Sequence, residues 1–543
     1  MAQVPWGIFF VAVAGFSFLT SSFSTLFVLF IALTTLRILH ASFLYPEYLT
    51  PIRHIPTPPL IKKNRSWTKG NTDTFVVQTP FENLLAWSRS VPNNGLLRYY
   101  VVGNMERVLI TTPKALSELL VQKAYEFPKP EFMRDSLARV AGDHGILLVE
   151  GNEHKRHRKN LMPAFSYRHI KDLHATFWAK SVEMVKCIEK DLKSRKSADD
   201  ITVTVRGWAS RATLDIIGLA GMDRDFGSLA DPNNELAAQY HRILEEPPLW
   251  LKLLFAATFV IGNTNLLRAL PLKRNKDIAE GADYVRRVAQ QLINEKRERL
   301  KHKPGKSDSV HSKDILSVAV NSGNFTDLEL VDQMMTFLAA GHETTSTALQ
   351  WSVYALCKHP EVQTRLREEI RLNLPPISVE NPEPITAATL DSLPYLHAFC
   401  NEVLRFHPSV PITFRTTAQD TTLCGTLIPK GTSLTISPEV INHDPDLWGA
   451  DAHIFNPERW LGPGRANTGG ASSNYALMTF LHGPRSCIGQ GFAKAELACL
   501  VAAMVGRFRM ELADPEKELV VKRSVTVSPM DGVVARFTPL EGW

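Results

Sequence analysis

The pattern of apolar and polar positions opens with a run that carries no charge at all, residues 6–36 (WGIFFVAVAGFSFLTSSFSTLFVLFIALTTL). It exceeds the ~20 residues that a helix needs to cross a bilayer. The pattern therefore predicts an N-terminal transmembrane anchor over residues 1–45. A cleaved signal peptide fits less well, because no Lys or Arg precedes the run and it is far longer than the ~7–15 apolar residues of a signal h-region. Cations begin only afterwards, at Arg37, Arg53, Lys62, Lys63 and Arg65. The positive-inside rule then places the rest of the chain in the cytosol, which in a eukaryote means the cytosolic face of the endoplasmic reticulum membrane. One tilted span and a helical hairpin both fit the length, and we take a single-pass anchor as the expectation.

Prolines dominate the next stretch, PEYLTPIRHIPTPPL (46–60), and their fixed φ and missing donors predict a stiff extended linker over 46–65. GLLRYYVVGNMERVLITTP then shows two β-rich runs around Gly103-Asn104, the signature of a hairpin. From Lys114 the apolar period becomes helical, with amphipathic stretches at 166–192, 209–218, 277–303, 327–358 and 361–372. Charged residues mark a loop at 300–314, and Gly/Ser-rich residues mark another at 462–474. Strand signals return at 421–437 and 518–540. The fold class is thus mainly α with small β-sheets. Because the β runs are too short to stand alone, they are expected to pair with one another or with the early hairpin, making one domain over 66–543. A further apolar stretch, PPLWLKLLFAATFVIG (247–262), is too short to span and reads either as a membrane-dipping lip or as a buried helix.

Composition narrows the function. At 44% hydrophobic and 21% charged residues the chain is not disordered, and a net charge of +6 without a basic tract interleaved with aromatics argues against nucleic acid as a partner. The six cysteines are scattered with no CxxC pair, which excludes a disulfide framework or a zinc site of the usual spacing.

One cysteine stands apart. In FLHGPRSCIGQGFAKAEL, Cys487 follows a turn made by Gly483 and Pro484 and precedes a helical run, with Arg485 before it and Gly489 after it. A thiolate needs amides, a cation or a helix N-terminus to hold its charge, and this stretch offers all three. The pattern Phe480-x-x-Gly483-x-Arg485-x-Cys487-x-Gly489 resembles, at every fixed position, the haem-binding signature of the cytochrome P450 family. That resemblance implies the cytochrome P450 fold, haem b ligated through iron by Cys487, a haem propionate paired with Arg485, and a sulfur shielded by Phe480.

Other stretches resemble the family in the same order. AGHETTS (340–346) matches its oxygen-activating helix, so Glu343 and Thr344 are expected to deliver protons to dioxygen; Gly341 would let that helix approach a flat cofactor, and a Thr344 hydroxyl can bond back to a carbonyl one turn earlier. NEVLRFHP matches the Glu-x-x-Arg helix with Glu402 and Arg405, and FNPERW supplies Arg459, three residues expected to form a buried structural network. In GNEHKRHRKNLMPAF the family's Trp position is held by His154, with Arg158 four residues on; both are expected at a propionate, and Arg415 in VPITFRTTAQD is a third such candidate. Apolar side chains near these segments, among them Phe337, Phe414 and Met530, are candidate pocket walls.

The resemblance implies a monooxygenase that inserts one atom of O2 into an apolar small molecule by hydroxylation, epoxidation or further oxidation. With no flavin or nicotinamide segment in the chain, electrons from NADPH are expected through a separate partner, NADPH-cytochrome P450 reductase. The sequence looks most like fungal microsomal members acting on terpenoid, polyketide or alkaloid intermediates of secondary metabolism. Two other readings use the same cysteine: a haem-thiolate isomerase or dehydratase, and a non-catalytic haem-binding membrane protein.

Overall fold

The apolar period read at 327–358 folds as one helix, Asp327–Lys358. Its start is fixed by a capping box, in which the Thr326 hydroxyl accepts from Glu329 N and the Glu329 carboxylate accepts from Thr326 N. The structure, a computed structural model, describes residues 23–58, 70–71, 81–195, 201–261, 267, 270–302, 314–377, 385–523 and 525–543. Within them the chain is mainly helical with small sheets, and it divides into two compact units.

The larger unit comprises residues 134–246, 276–411 and 441–543. It holds the long helix, the helices Tyr167–Ser194, Val205–Met222, Pro360–Asn373, Pro394–Phe406 and Gln490–Arg507, and two sheets. Its core forms because each helix buries an apolar stripe. The rings of Phe177 and Phe492 meet edge-on at 4.8 Å, joining the Tyr167–Ser194 helix to Gln490–Arg507. The three-stranded sheet runs β3 (Thr202–Thr204), β11 (Val534–Pro539), β8 (Phe508–Leu512), and β9 (Val521–Arg523) pairs with β10 (Val527–Pro529).

The smaller unit comprises residues 1–133, 247–275 and 412–440. β1 (Leu96–Val101) and β2 (Met105–Ile110) form the expected hairpin, and Gly103 at its bend has φ 68°, a left-handed conformation that favours glycine. β2 pairs in parallel with β7 (Ser433–Ile436), which pairs with β4 (Thr413–Thr416), so early and late strands share one sheet. β5 (Thr421–Leu423) and β6 (Thr426–Ile428) make a separate hairpin.

The start of the chain differs from expectation. Residues 46–58 are not an extended linker: Pro46 lies inside a wide helical segment, His40–Leu49, and a turn follows. Ile52 and Ile55 are buried, Pro56 O accepts from Arg98 N at 2.8 Å, and Asn104 donates to Ser42 O at 2.9 Å. Burial of these side chains and pairing to the hairpin edge outweigh the extended preference of the prolines. Of the run read as an anchor, residues 6–22 lie outside the described residues, and the remainder falls in the helix Phe23–Leu39. Among the described residues no helix is long and apolar enough to cross a membrane.

Candidate active site

Cys487 sits at the end of a tight turn whose backbone closes on itself. Cys487 N donates to Phe480 O at 2.9 Å and Ser486 N to Gly483 O at 3.0 Å. Two residues of the turn are left-handed, Gly483 at φ 77° and Leu481 at φ 56°. Glycine accepts this readily; leucine does so at a strain cost of about 1–3 kcal/mol, the kind of strain that surrounding structure must impose. The helix Gln490–Arg507 begins three residues past the cysteine.

The turn is gripped from the helix Gly151–Leu161. Arg158 donates through Nη1 to Ser486 O at 2.6 Å and through Nη2 to Ser486 Oγ at 3.3 Å. In the other direction Arg485 donates to Val149 O at 3.0 Å and forms an ion pair with Glu150, at the start of the same helix. Protein packed around the Cys487 sulfur pushes the thiol above its ordinary value although the residue keeps an exposed face, and a bond from the Gly489 amide and the charge of Arg158 partly offset it. The chain alone thus favours the thiol.

On the long helix, residues 329–338 and 345–353 are all buried; between them Ala340 is exposed, Gly341, Glu343 and Thr344 are half-buried, and His342 is buried. Thr344 Oγ1 donates to Ala340 O at 2.9 Å, one turn back, in competition with the helix ladder. Glu343 accepts from Thr526 at 3.0 Å. Gly341 serves helix packing. A Cβ there would meet Ile217 at 2.8 Å, so the glycine lets the long helix pack against Val205–Met222.

Phe165 joins the two halves of the site. It lies 3.8 Å from where a Gly489 Cβ would stand, and its ring centroid is 5.6 Å from that of Phe337, three residues before Ala340.

Glu402, Arg405 and Arg459 meet as a buried network. Arg405 grips Glu402 with two bonds of 2.8 and 2.7 Å, and Arg459 Nε donates to the same carboxylate at 3.2 Å. Trp460 Nε1 adds a bond at 2.9 Å and Asn456 N one at 2.8 Å, while Arg405 also holds the carbonyls of Asn442 and Ala452. Every charge is paired and hydrogen-bonded, the condition under which a buried ion pair is tolerated.

His154 is buried on the Gly151–Leu161 helix. Arg415 belongs to the smaller unit, on β4, where it is buried and donates to Phe414 O at 2.8 Å; burial pulls its pKa down to about 10. In that unit Phe414 also packs on Phe132.

Sequence reasoning missed several residues. Asp332, Gln333 and Thr336 on the long helix hold the segment 141–146: Asp332 accepts from His144 N, Gln333 from Ile146 N, and Thr336 donates to Ala141 O. Trp460 and Thr526 were likewise unread; the FNPERW motif contains the first, but nothing in the local pattern marks the second. Among the described residues the one group with metal-ligating character outside the cysteine turn is Glu153, His157 and Glu329, and there Arg156 already occupies Glu329.

An exposed cysteine facing no partner cysteine, together with a less buried stretch of the long helix at Ala340–Thr344, suits a flat, metal-bearing group. Residues of this kind in a mainly helical protein fit a haem-thiolate cofactor. The family model "Cytochrome P450" matches residues 94–532, and the chain belongs to the cytochrome P450 family. It is 56% identical over 523 residues to cytochrome P450 monooxygenase sphH of Aspergillus fumigatus, covering 96% of this chain and 95% of the relative. It is also similar to cytochrome P450 monooxygenase FSL4 of Gibberella zeae (41%; 92% of this chain, 91% of the relative) and to FUM15 of Gibberella moniliformis (37%; 97% and 95%). The enzyme is accordingly an oxidoreductase, a cytochrome P450 monooxygenase.

Proposed function

We propose that the enzyme inserts one oxygen atom of O2 into an apolar small molecule of fungal secondary metabolism, of terpenoid, polyketide or alkaloid type. The observation that carries the reading is the Thr344 hydroxyl turned back onto Ala340 O, with Glu343 next to it in sequence, in a less buried stretch of the long helix. The relatives' source organisms support the fungal setting.

Cys487 would hold the iron of haem b; bound there, the group supplies thiolate-ligated iron, whose push of electron density favours O–O cleavage. Arg158 fixes the sulfur by holding Ser486, so the donor atom keeps its position through turnover. Arg485 and His154 carry the charge and donors that propionates would take. Glu343 and Thr344 would deliver the protons that O–O cleavage consumes, a role supported by the Thr344 hydroxyl that bonds back to Ala340 O.

Electrons come from NADPH through a separate reductase, for which the basic side chains of Lys155 and Lys159 on the Gly151–Leu161 helix offer an acidic partner a docking charge. The chain is anchored in the endoplasmic reticulum membrane by residues 1–45. The charge-free run supports that reading, as do exposed Leu249, Trp250 and Leu253 on the helix Leu249–Ile261, an apolar surface suited to the lipid boundary.

The test is NADPH-dependent turnover in membranes with 18O2. Apolar metabolites are first screened for optical shifts of the haem band, and a product carrying one labelled oxygen is expected; Thr344→Ala should divert most electrons from it. Conversion without oxygen gain would overturn the reading.

A further inference from the structure

Glu343 has its carboxylate held from outside its own helix. Thr526, only 5% exposed, lies between β9 and β10 and donates through Oγ1 to Glu343 Oε1 at 3.0 Å, across 183 residues of sequence. The strand that follows is moored to the same place. Val527 N donates to Ser409 O at 3.0 Å, the Ser409 hydroxyl donates to Thr344 O at 2.9 Å, and Trp351 Nε1 donates to Val527 O at 2.8 Å. The two adjacent site residues are therefore tied to one short β segment, Glu343 through its side chain and Thr344 through its carbonyl.

Among the described residues no cation pairs with Glu343, so a neutral hydroxyl is what selects its rotamer. A neutral bond is weaker than an ion pair and lets go more easily, which suits an acid that must both hold and release a proton. The same β segment runs on to Pro529 and Met530, and Met530 is 40% exposed.

We propose that Thr526 is a positioning residue for oxygen activation: its hydroxyl holds the Glu343 carboxylate beside Thr344. The role rests on Glu343 being the proton-delivering acid of the proposed function. Without the hydroxyl the carboxylate turns freely, and more of the O2 reduced by NADPH leaves with two electrons and two protons as hydrogen peroxide instead of being cleaved.

The experiment compares full-length, haem-loaded wild type with Thr526→Val, which keeps shape and loses the hydroxyl, and Thr526→Ser, which keeps the hydroxyl. Two quantities are read: amide hydrogen exchange of peptide 525–531, and peroxide released per NADPH oxidised with a cytochrome P450 reductase. Thr526→Val is expected to speed exchange and raise the peroxide-to-water ratio by about fivefold each, the equivalent of one hydrogen bond of ~1 kcal/mol, and Thr526→Ser to restore both. If Thr526→Val matches wild type, or if Thr526→Ser is as impaired as Thr526→Val, Thr526 does not position the acid. A wild type that lacks the thiolate carbon monoxide spectrum instead overturns the proposed function, and this role with it.

Discussion

Arg158 and Ser486 are 328 residues apart in sequence, yet the guanidinium of the first donates two hydrogen bonds to the second, the residue directly before Cys487. The bonds go to a carbonyl and a hydroxyl at once, a fork that a lysine ammonium cannot reproduce with the same geometry. Removing a residue that orients a ligand costs about 10–100-fold in metal affinity. Arg158→Ala is expected to lose haem to apomyoglobin at least about tenfold faster than wild type, with Arg158→Lys recovering only part of the difference.

Glu402 is fully buried with two arginines on it. Taking away one partner of such a group leaves charge uncompensated, at a cost of about 3–5 kcal/mol. Glu402→Ala should therefore fail to accumulate as folded protein, or melt many degrees below wild type; circular dichroism melts of purified protein decide it. A melting temperature unchanged from wild type would mean the network carries no stability.

Glu496, nine residues beyond Cys487, is fully buried, and neither carboxylate oxygen has a hydrogen-bond partner among the described residues. Burial pushes its pKa well above the ordinary 4.5. The folded state then binds one proton more than the unfolded state at pH values between 4.5 and the raised value, so stability falls as pH rises through that window. Glu496→Gln lacks the proton and the slope. Denaturant titrations across the acid-to-neutral range should show wild type losing ground to Glu496→Gln as pH increases; a constant gap would contradict a raised carboxyl.

These relationships separate what the sequence made legible from what it did not. The helix Asp327–Lys358 was readable because its apolar period is long and Thr326 and Glu329 cap it locally, and the β1–β2 hairpin because Gly103 must take a left-handed turn. The cysteine turn was readable because Phe480, Gly483, Arg485, Cys487 and Gly489 stand within ten residues of one another. Contacts set by tertiary packing were not: the hold of Arg158 on Ser486, of Trp460 on Glu402 and of Thr526 on Glu343 leave no local trace, since each joins residues far apart in the chain. The packing of Gly341 on Ile217 likewise shows only in the folded chain. The prolines at 46–58 misled for a related reason, as buried Ile52 and Ile55 override a local preference.

The account turns on Cys487 as the iron ligand. The most direct measurement is the difference spectrum of the reduced, carbon monoxide-bound enzyme for wild type and Cys487→Ala, each reconstituted with haem. The account predicts the red-shifted thiolate band in wild type and its loss in Cys487→Ala; a thiolate band that survives the substitution would contradict it.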